Sequence, residues 1–381
     1  MRLIYNTRMS NTKIHFKNLD SLRTFAFLGV YLYHFNLRIN PDLSAYPKTF
    51  SFLKTIFSFG DLGVNLFFVL SGFLITYLLL SEESLSGKYN IPDFWIRRIL
   101  RIWPLYFGVV LYGFLLFALF PSHNSNQVET ANIFYYISFL PNFNIIHNGY
   151  PLNPALTVLW SVGVEEQFYL LWPLLLFNKR TRPFSFPLII AASLWFRYTH
   201  MDSSFVLKFH SFSLMNEIAC GACLAWICFQ MKLKQDQIKF SKSWILLIYM
   251  TGFFCIFSPS AILTNSFYFA VRPLLISLFF CFILFEQIFI VNKLIHWGRI
   301  KFIEKCGKYT YGLYCLHMIG ILVGFHLSKL LKVETNIYWV ITGELLLSLS
   351  ISMLFSYLSY NYLEKPFLSI KKRFAKIENR P

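Results

Sequence analysis

The sequence predicts an all-α, polytopic integral membrane protein with about ten transmembrane helices. Three observations carry that prediction. Of the 381 residues, 56% are hydrophobic and 14% charged, and the mean hydropathy is +0.51; a soluble domain carries about 25% charged residues. The chain breaks into ten apolar segments long enough to cross a bilayer core of about 30 Å. Lys and Arg gather in alternate connecting segments, as they do around helices threaded back and forth through a membrane.

The ten expected spans are residues 22–38, 61–81, 102–120, 156–177, 184–199, 210–230, 244–258, 267–291, 309–329 and 337–362. With the N-terminus placed inside, the inner segments hold 26 of the 35 basic residues, the outer segments 6 and the spans 3. This predicts both termini on the cytoplasmic side of the membrane. The net charge of +17 is then mainly a topology signal that also favours anionic membrane lipids. Nucleic acid is not needed to explain it. The seven cysteines lie in or beside apolar stretches, and the Cys220–Cys223 pair falls inside an expected helix, which reads as small-residue packing. No cleavable signal peptide is expected, because no small-residue cleavage site follows the first apolar segment. The organisation expected is a cytoplasmic segment 1–18, a membrane domain 19–367 and a basic cytoplasmic tail 368–381. The longest outer loop, about 121–155, has no Lys or Arg. It reads equally as a lid, a re-entrant piece, a sugar-binding surface or a plain connector.

Polar residues inside apolar segments are costly and mark sites or partners. Arg23 and His34 are eleven residues apart, three helical turns plus about 20°, so they share one face with a rise of about 16 Å. Asp20 sits three residues before Arg23 and is placed to pair with it. Against a site stands the plainer reading, in which Arg23 snorkels and His34 makes a packing hydrogen bond. Arg97, Arg98 and Arg101 begin the third span. They read as membrane anchors beside a tryptophan belt, or as a guanidinium set suited to phosphate. Glu165 and Glu166 are adjacent in the fourth span and point about 100° apart. One is expected to face a site and the other a neighbouring helix. Asn65, Ser71, Trp160, Gln167, Tyr311 and His317 are candidate pocket residues. No metal site is expected.

Six stretches together resemble the acyltransferase-3 family of bacterial membrane O-acyltransferases. They are LDSLR…YHF, GVNLFFVLSGFLIT, FWIRRILRIWPLY, LWSVGVEEQFYLLWP, KYTYGLYCLH and NYLEKPF, in the family's order from about residue 19 to 367. The resemblance implies transfer of an acyl group, often acetyl, from a cytosolic acyl-CoA donor to a hydroxyl of a surface-glycan sugar, such as lipopolysaccharide O-antigen or exopolysaccharide. It implies no permanently bound cofactor. Some members add a C-terminal esterase-like domain. Here the last motif lies about 15 residues before the end of the sequence, so a stand-alone membrane module is expected. Relatives often carry an arginine near Leu214, which this chain lacks.

On this reading Arg23, Arg97, Arg98 and Arg101 hold the donor's phosphates, and the pantetheine arm threads towards His34. His34 serves as general base or as nucleophile, and Glu165, with Glu166 beside it, orients the imidazole. Asn65 and Ser71 are candidate oxyanion donors. The rival reading is a transporter or flippase of lipid-linked glycans, which needs no acyl-CoA.

Overall fold

The computed structural model describes residues 12–16, 18–36, 47–119, 129–258, 266–333 and 336–378. The N-terminal residues 1–11 and the part of the outer loop at 121–128 lie outside them. The described chain is helical apart from a two-residue parallel strand pair, β1 (Thr12–Lys13) with β2 (Ile377–Glu378), and one isolated bridge between Ile238 and Ile290. In order the helices are α1 (Leu19–Asn36), α2 (Pro47–Ser58), α3 (Leu62–Ser86), α4 (Ile91–Leu119), α5 (Ile133–Ile137), α6 (Pro141–Asn148), α7 (Pro154–Thr157), α8 (Leu159–Phe177) and α9 (Arg182–Thr199). Then come α10 (Ser204–Phe209), α11 (Ser211–Gln230), α12 (Lys242–Ile256), α13 (Ser266–Phe289), α14 (Lys301–Cys306), α15 (Thr310–Leu330), α16 (Leu345–Leu358) and α17 (Lys365–Lys371). Two π-helical stretches, Trp339–Glu344 and Ser359–Glu364, flank α16.

Six continuous helical runs among the described residues are long and apolar enough to cross a membrane: Ser51–Ser86, Ile91–Leu115, Ser204–Gln230, Phe267–Phe289, Lys301–Leu330 and Trp339–Phe374. Length and composition thus support six spans, not the ten expected. The other four expected spans coincide with helices, for physical reasons that keep them below that standard. α12 has only 15 residues. α1 carries Asp20, Arg23 and His34, α8 carries Glu165, Glu166 and Gln167, and α9 begins and ends near arginines 182 and 197.

Helices meet closely where small residues let backbones touch. At the α3–α11 crossing, a Cβ on Gly72 would stand 1.9 Å from the Ile218 carbonyl oxygen, and one on Gly221 would stand 2.0 Å from that of Val69. α15 presents Gly312, Gly320 and Gly324 to Ser356, Ser352 and Ser348 of α16. α1 lies between these pairs. Its buried Phe27, Val30, Tyr31 and Phe35 join an apolar core with α4, α8 and α15. Its buried Leu19, Leu22 and Ala26 join a second core with α3, α11, α12 and α13. Helix α17 runs across residue 367, so the expected tail begins inside a helix that packs against α4.

Candidate active site

A cavity of about 260 Å³ enters the bundle from the end where β1 and β2 pair. Helical spacing explains how one face of each wall reaches it. α4 supplies Phe94, Arg97, Arg98 and Arg101, which recur at three- and four-residue steps. α3 supplies Phe67, Ser71, Leu74, Leu78 and Glu82 in the same rhythm. α8 gives Ser161, Glu165 and Tyr169, each four residues from the last, and α15 gives Thr310, Tyr311 and Tyr314. Arg23 of α1 joins the lining, as do half-buried Lys371 and exposed Lys372, whose exposure marks the mouth. Six cationic side chains therefore face two carboxylates, Glu82 and Glu165.

The arginines are held differently. Arg23 bonds Asp20 at 2.5 Å. Arg97 is buried and doubly engaged: Nη2 donates to Glu82 Oε2 at 2.8 Å and Nη1 to the Phe374 carbonyl at 2.7 Å. These bonds fasten α4 to α3 and to the segment after α17, and Arg97 also lines the cavity. Arg98 lies over the rings of Phe94 and Tyr169, 5.5 and 5.7 Å from their centroids, and its buried Nε finds no protein acceptor. A guanidinium with an unmet buried donor beside a cavity is suited to an incoming anion.

At the inner part of the cavity, Tyr169 Oη donates to Glu165 Oε2 at 2.9 Å and lies 2.5 Å from Ser71 Oγ. Tyr314 Oη lies 2.6 Å from Ser161 Oγ. Tyr311 lines the wall and donates to the Ile102 carbonyl at 2.6 Å. Glu166 points elsewhere, its Oε2 accepting from Trp103 Nε1 at 2.9 Å, so the adjacent carboxylates serve a cavity and a neighbouring helix.

His34 does not line this cavity. Its Nδ1 lies 2.8 Å from Nε2 of the fully buried His317, whose own Nδ1 lies 2.7 Å from the Tyr314 carbonyl. A carbonyl only accepts, so His317 Nδ1 carries hydrogen. In the neutral pair His317 Nε2 then accepts from His34 Nδ1–H, and His34 Nε2 carries the lone pair. The bond at His34 Nδ1 is thus to His317, while Glu165 bonds Tyr169. Tyr314 and Phe67 both line the cavity with ring centroids 5.8 Å apart, and the Tyr314 ring is also 5.9 Å from that of His317, so Tyr314 touches both the cavity and the histidine pair. On its other side His34 meets Tyr33, ring centroids 5.3 Å apart, and Lys208 Nζ lies 3.2 Å from Tyr33 Oη.

Three other expected pocket residues have different work. Asn65 Nδ2 donates to Glu217 Oε1 at 2.6 Å. Gln167 Nε2 donates to the Phe139 carbonyl at 2.8 Å and to Asn142 Oδ1 at 2.9 Å, and its Oε1 accepts from Ser211 Oγ, which ties α8 to α6 and α11. Trp160 packs edge-on to Phe68 and Phe209. Sequence reasoning missed Ser161, Tyr169, Tyr314, Glu82, Lys371 and Lys372. Tyr169 was findable as the residue one turn after Glu165, and Tyr314 as the residue one turn before His317. Among the described residues no cluster of three metal-ligating side chains occurs.

The fold and the cavity define a helical, multi-pass membrane protein with a basic pocket opening at one end of the bundle and a histidine pair beyond its inner wall. The family described as "Acyltransferase domain", acyltransferase-3, matches residues 16–360, and the chain belongs to it. The protein named "Putative O-acetyltransferase SACOL0978" of Staphylococcus aureus (strain COL) is 27% identical over 385 aligned residues, covering 92% of this chain and 56% of that protein. "O-acetyltransferase OatA" of Staphylococcus aureus (strain NCTC 8325 / PS 47) is 35% identical over 166 residues, 42% of this chain and 24% of that protein. The chain spans about half the length of the first of these relatives. No solved structure matches it.

Proposed function

We propose that this protein is a membrane O-acyltransferase that moves an acyl group, acetyl in the simplest case, from cytosolic acyl-CoA to a hydroxyl of a surface-glycan sugar. The observation that carries the reading is the cavity itself, in which six cationic side chains face two carboxylates and Arg98 has an unmet buried donor. Coenzyme A is a polyanionic nucleotide on a pantetheine arm. Its phosphates suit Arg98 and Arg101, and the arm suits the apolar wall of Leu74, Leu78 and Ile102 beyond them. The basic end of the bundle is then cytoplasmic, with both termini there.

The chemistry falls to His34. Its Nε2 takes the proton of the sugar hydroxyl, and the oxygen attacks the thioester carbonyl. The C–S bond breaks, and the thiolate leaves with the proton returned from the imidazolium. His317 keeps Nδ1 of His34 protonated and the ring oriented. Ser71, Tyr169 and Tyr314 carry hydroxyls towards the inner part of the cavity, where the thioester lies. Phe67 and Tyr314 must shift for the thioester to reach His34. Tyr33 and Lys208 on the outer side offer an aromatic face and a cation to the acceptor. Both relatives are named O-acetyltransferases, which supports acetyl as the group moved.

The test uses the purified protein in lipid nanodiscs. It should bind acetyl-CoA by calorimetry, and its expression should add acetyl mass to the host's surface glycan. Absence of donor binding would remove the reading.

A further inference from the structure

The segment after the last long helix was expected to be a basic cytoplasmic tail. In the structure it is a wall of the cavity. Leu368, Lys371, Lys372 and Ala375 recur at three- and four-residue steps across α17 and the 3-10 turn that follows, so one face carries all four, and all four line the cavity together with Ile377. The segment is fastened at three separate points. Arg97 donates to the Phe374 carbonyl at 2.7 Å, Lys376 Nζ donates to Ser86 Oγ at 3.2 Å, and Ile377–Glu378 pairs with Thr12–Lys13. The first of these ties is itself anchored, because the same guanidinium is ion-paired with the buried Glu82. A tail serving only as a topology signal has no need of such fastening, and its lysines need not face inward.

Resting on the donor reading above, we propose that residues 368–377 form part of the donor site, with Lys371 and Lys372 binding phosphate groups of the acyl-CoA nucleotide at the cavity mouth. Position supports this division of labour. Arg98 and Arg101 lie deeper on α4, next to Tyr169 and Ile102, where the diphosphate leads into the arm. The two lysines stand at the mouth, where the nucleotide end of the donor remains. A lysine ammonium is a compact point charge on a flexible stem, suited to a mobile terminal phosphate, whereas guanidinium forks suit a fixed diphosphate. Arg97 is a positioning residue that holds this wall in place without touching donor.

Anionic lipid headgroups offer the same chemistry, so the experiment separates the two sources. Full-length protein and Lys371→Gln/Lys372→Gln are placed in nanodiscs of neutral phosphatidylcholine and, separately, with one-third phosphatidylglycerol. Binding of acetyl-CoA, 3′-dephospho-acetyl-CoA and acetyl-pantetheine is measured in each. The expected result is roughly tenfold or greater weakening of acetyl-CoA binding in the double variant, in neutral and anionic discs alike. Binding of acetyl-pantetheine, which has no phosphate, should be unchanged. The penalty should shrink for the dephospho donor. Equal acetyl-CoA affinity in wild type and variant overturns the proposal while leaving the donor reading intact, and so does a loss seen only with anionic lipid. Failure of the wild type to bind acetyl-CoA at all removes the donor reading instead. An Arg97→Gln variant supplies a check on the fastening: protease cleavage after Lys371–Arg373 should quicken while the helical circular dichroism persists. Unchanged cleavage would overturn the role given to Arg97.

Discussion

Two imidazoles in contact carry the residue-scale argument. Because the Tyr314 carbonyl fixes the proton of His317, the lone pair of His34 is fixed too, so the proposed base would be formed without a carboxylate. His34→Ala should lower transfer by about 10²–10⁴ while acetyl-CoA affinity stays within a few fold, measured by turnover and calorimetry on the same preparation. His317→Leu should lower kcat with little change in KM. His317→Gln keeps a side-chain oxygen for His34 Nδ1–H and should recover part of that loss, whereas a merely packing role predicts that Leu outperforms Gln in the core. Arg98→Ala should weaken donor binding by about 1.5–3 kcal/mol, and Arg97→Ala should act instead through loss of the segment it fastens. Glu166→Gln, beside Trp103 and away from the cavity, should be milder than Glu165→Gln in turnover assays. Part of this was legible in the sequence. Spacing separated Glu165 from Glu166, which follows from helical geometry alone, whereas the shared face it gave Arg23 and His34 did not bring both to the cavity, since Arg23 lines it and His34 does not. The pairing of His34 with His317 was not legible, since 283 residues separate them and no pattern within either helix announces the other.

Elements meet where side chains are smallest. The crossing of α3 and α11 depends on Gly72 and Gly221, whose neighbours are backbone carbonyl groups that cannot swing aside. Gly221→Val should therefore destabilise the fold far more than Gly108→Val, whose Cβ would meet only the Leu363 side chain at 3.7 Å. Thermal melting in detergent checks the order, and equal melting points would contradict this account of the crossing. Gly72 meets the Ile218 carbonyl there. Helix existence was readable from apolar runs. The count of ten crossings is not confirmed by length and apolarity, because α1 and α8 give up apolar length to Arg23, Glu165 and other polar residues and α12 has only 15 residues.

For the whole molecule, the expected outcome concerns sidedness. Single cysteines replacing Ser125 and Lys376 should react with an impermeant maleimide from opposite sides of the membrane, given the basic bias of the segments assigned inside. The native thiols compete little, since six of the seven are buried. Labelling of both from one side would reject the orientation. The sequence could not reveal that residues 368–377 return to the bundle, because their lysines look the same whether they face water or a cavity. Only the tie to Arg97 and the strand pair with Thr12–Lys13 distinguish the two.

Phe67 and Tyr314 have an electrical consequence. An enzyme that takes one substrate from each side of an energised membrane risks becoming a leak, and each elementary charge crossing 100 mV releases about 2.3 kcal/mol. On the proposed two-sided reaction, the Tyr314 ring, packed against Phe67 in the cavity wall and against His317, would put an apolar layer across that route. On the proposed mechanism, acyl carbon would pass when the rings part around a bound arm, which itself would fill the gap. Small ions, lacking such an arm, find the insulation closed. Proteoliposomes holding a potential should keep it with this protein inserted and lose it faster when both rings are trimmed to alanine.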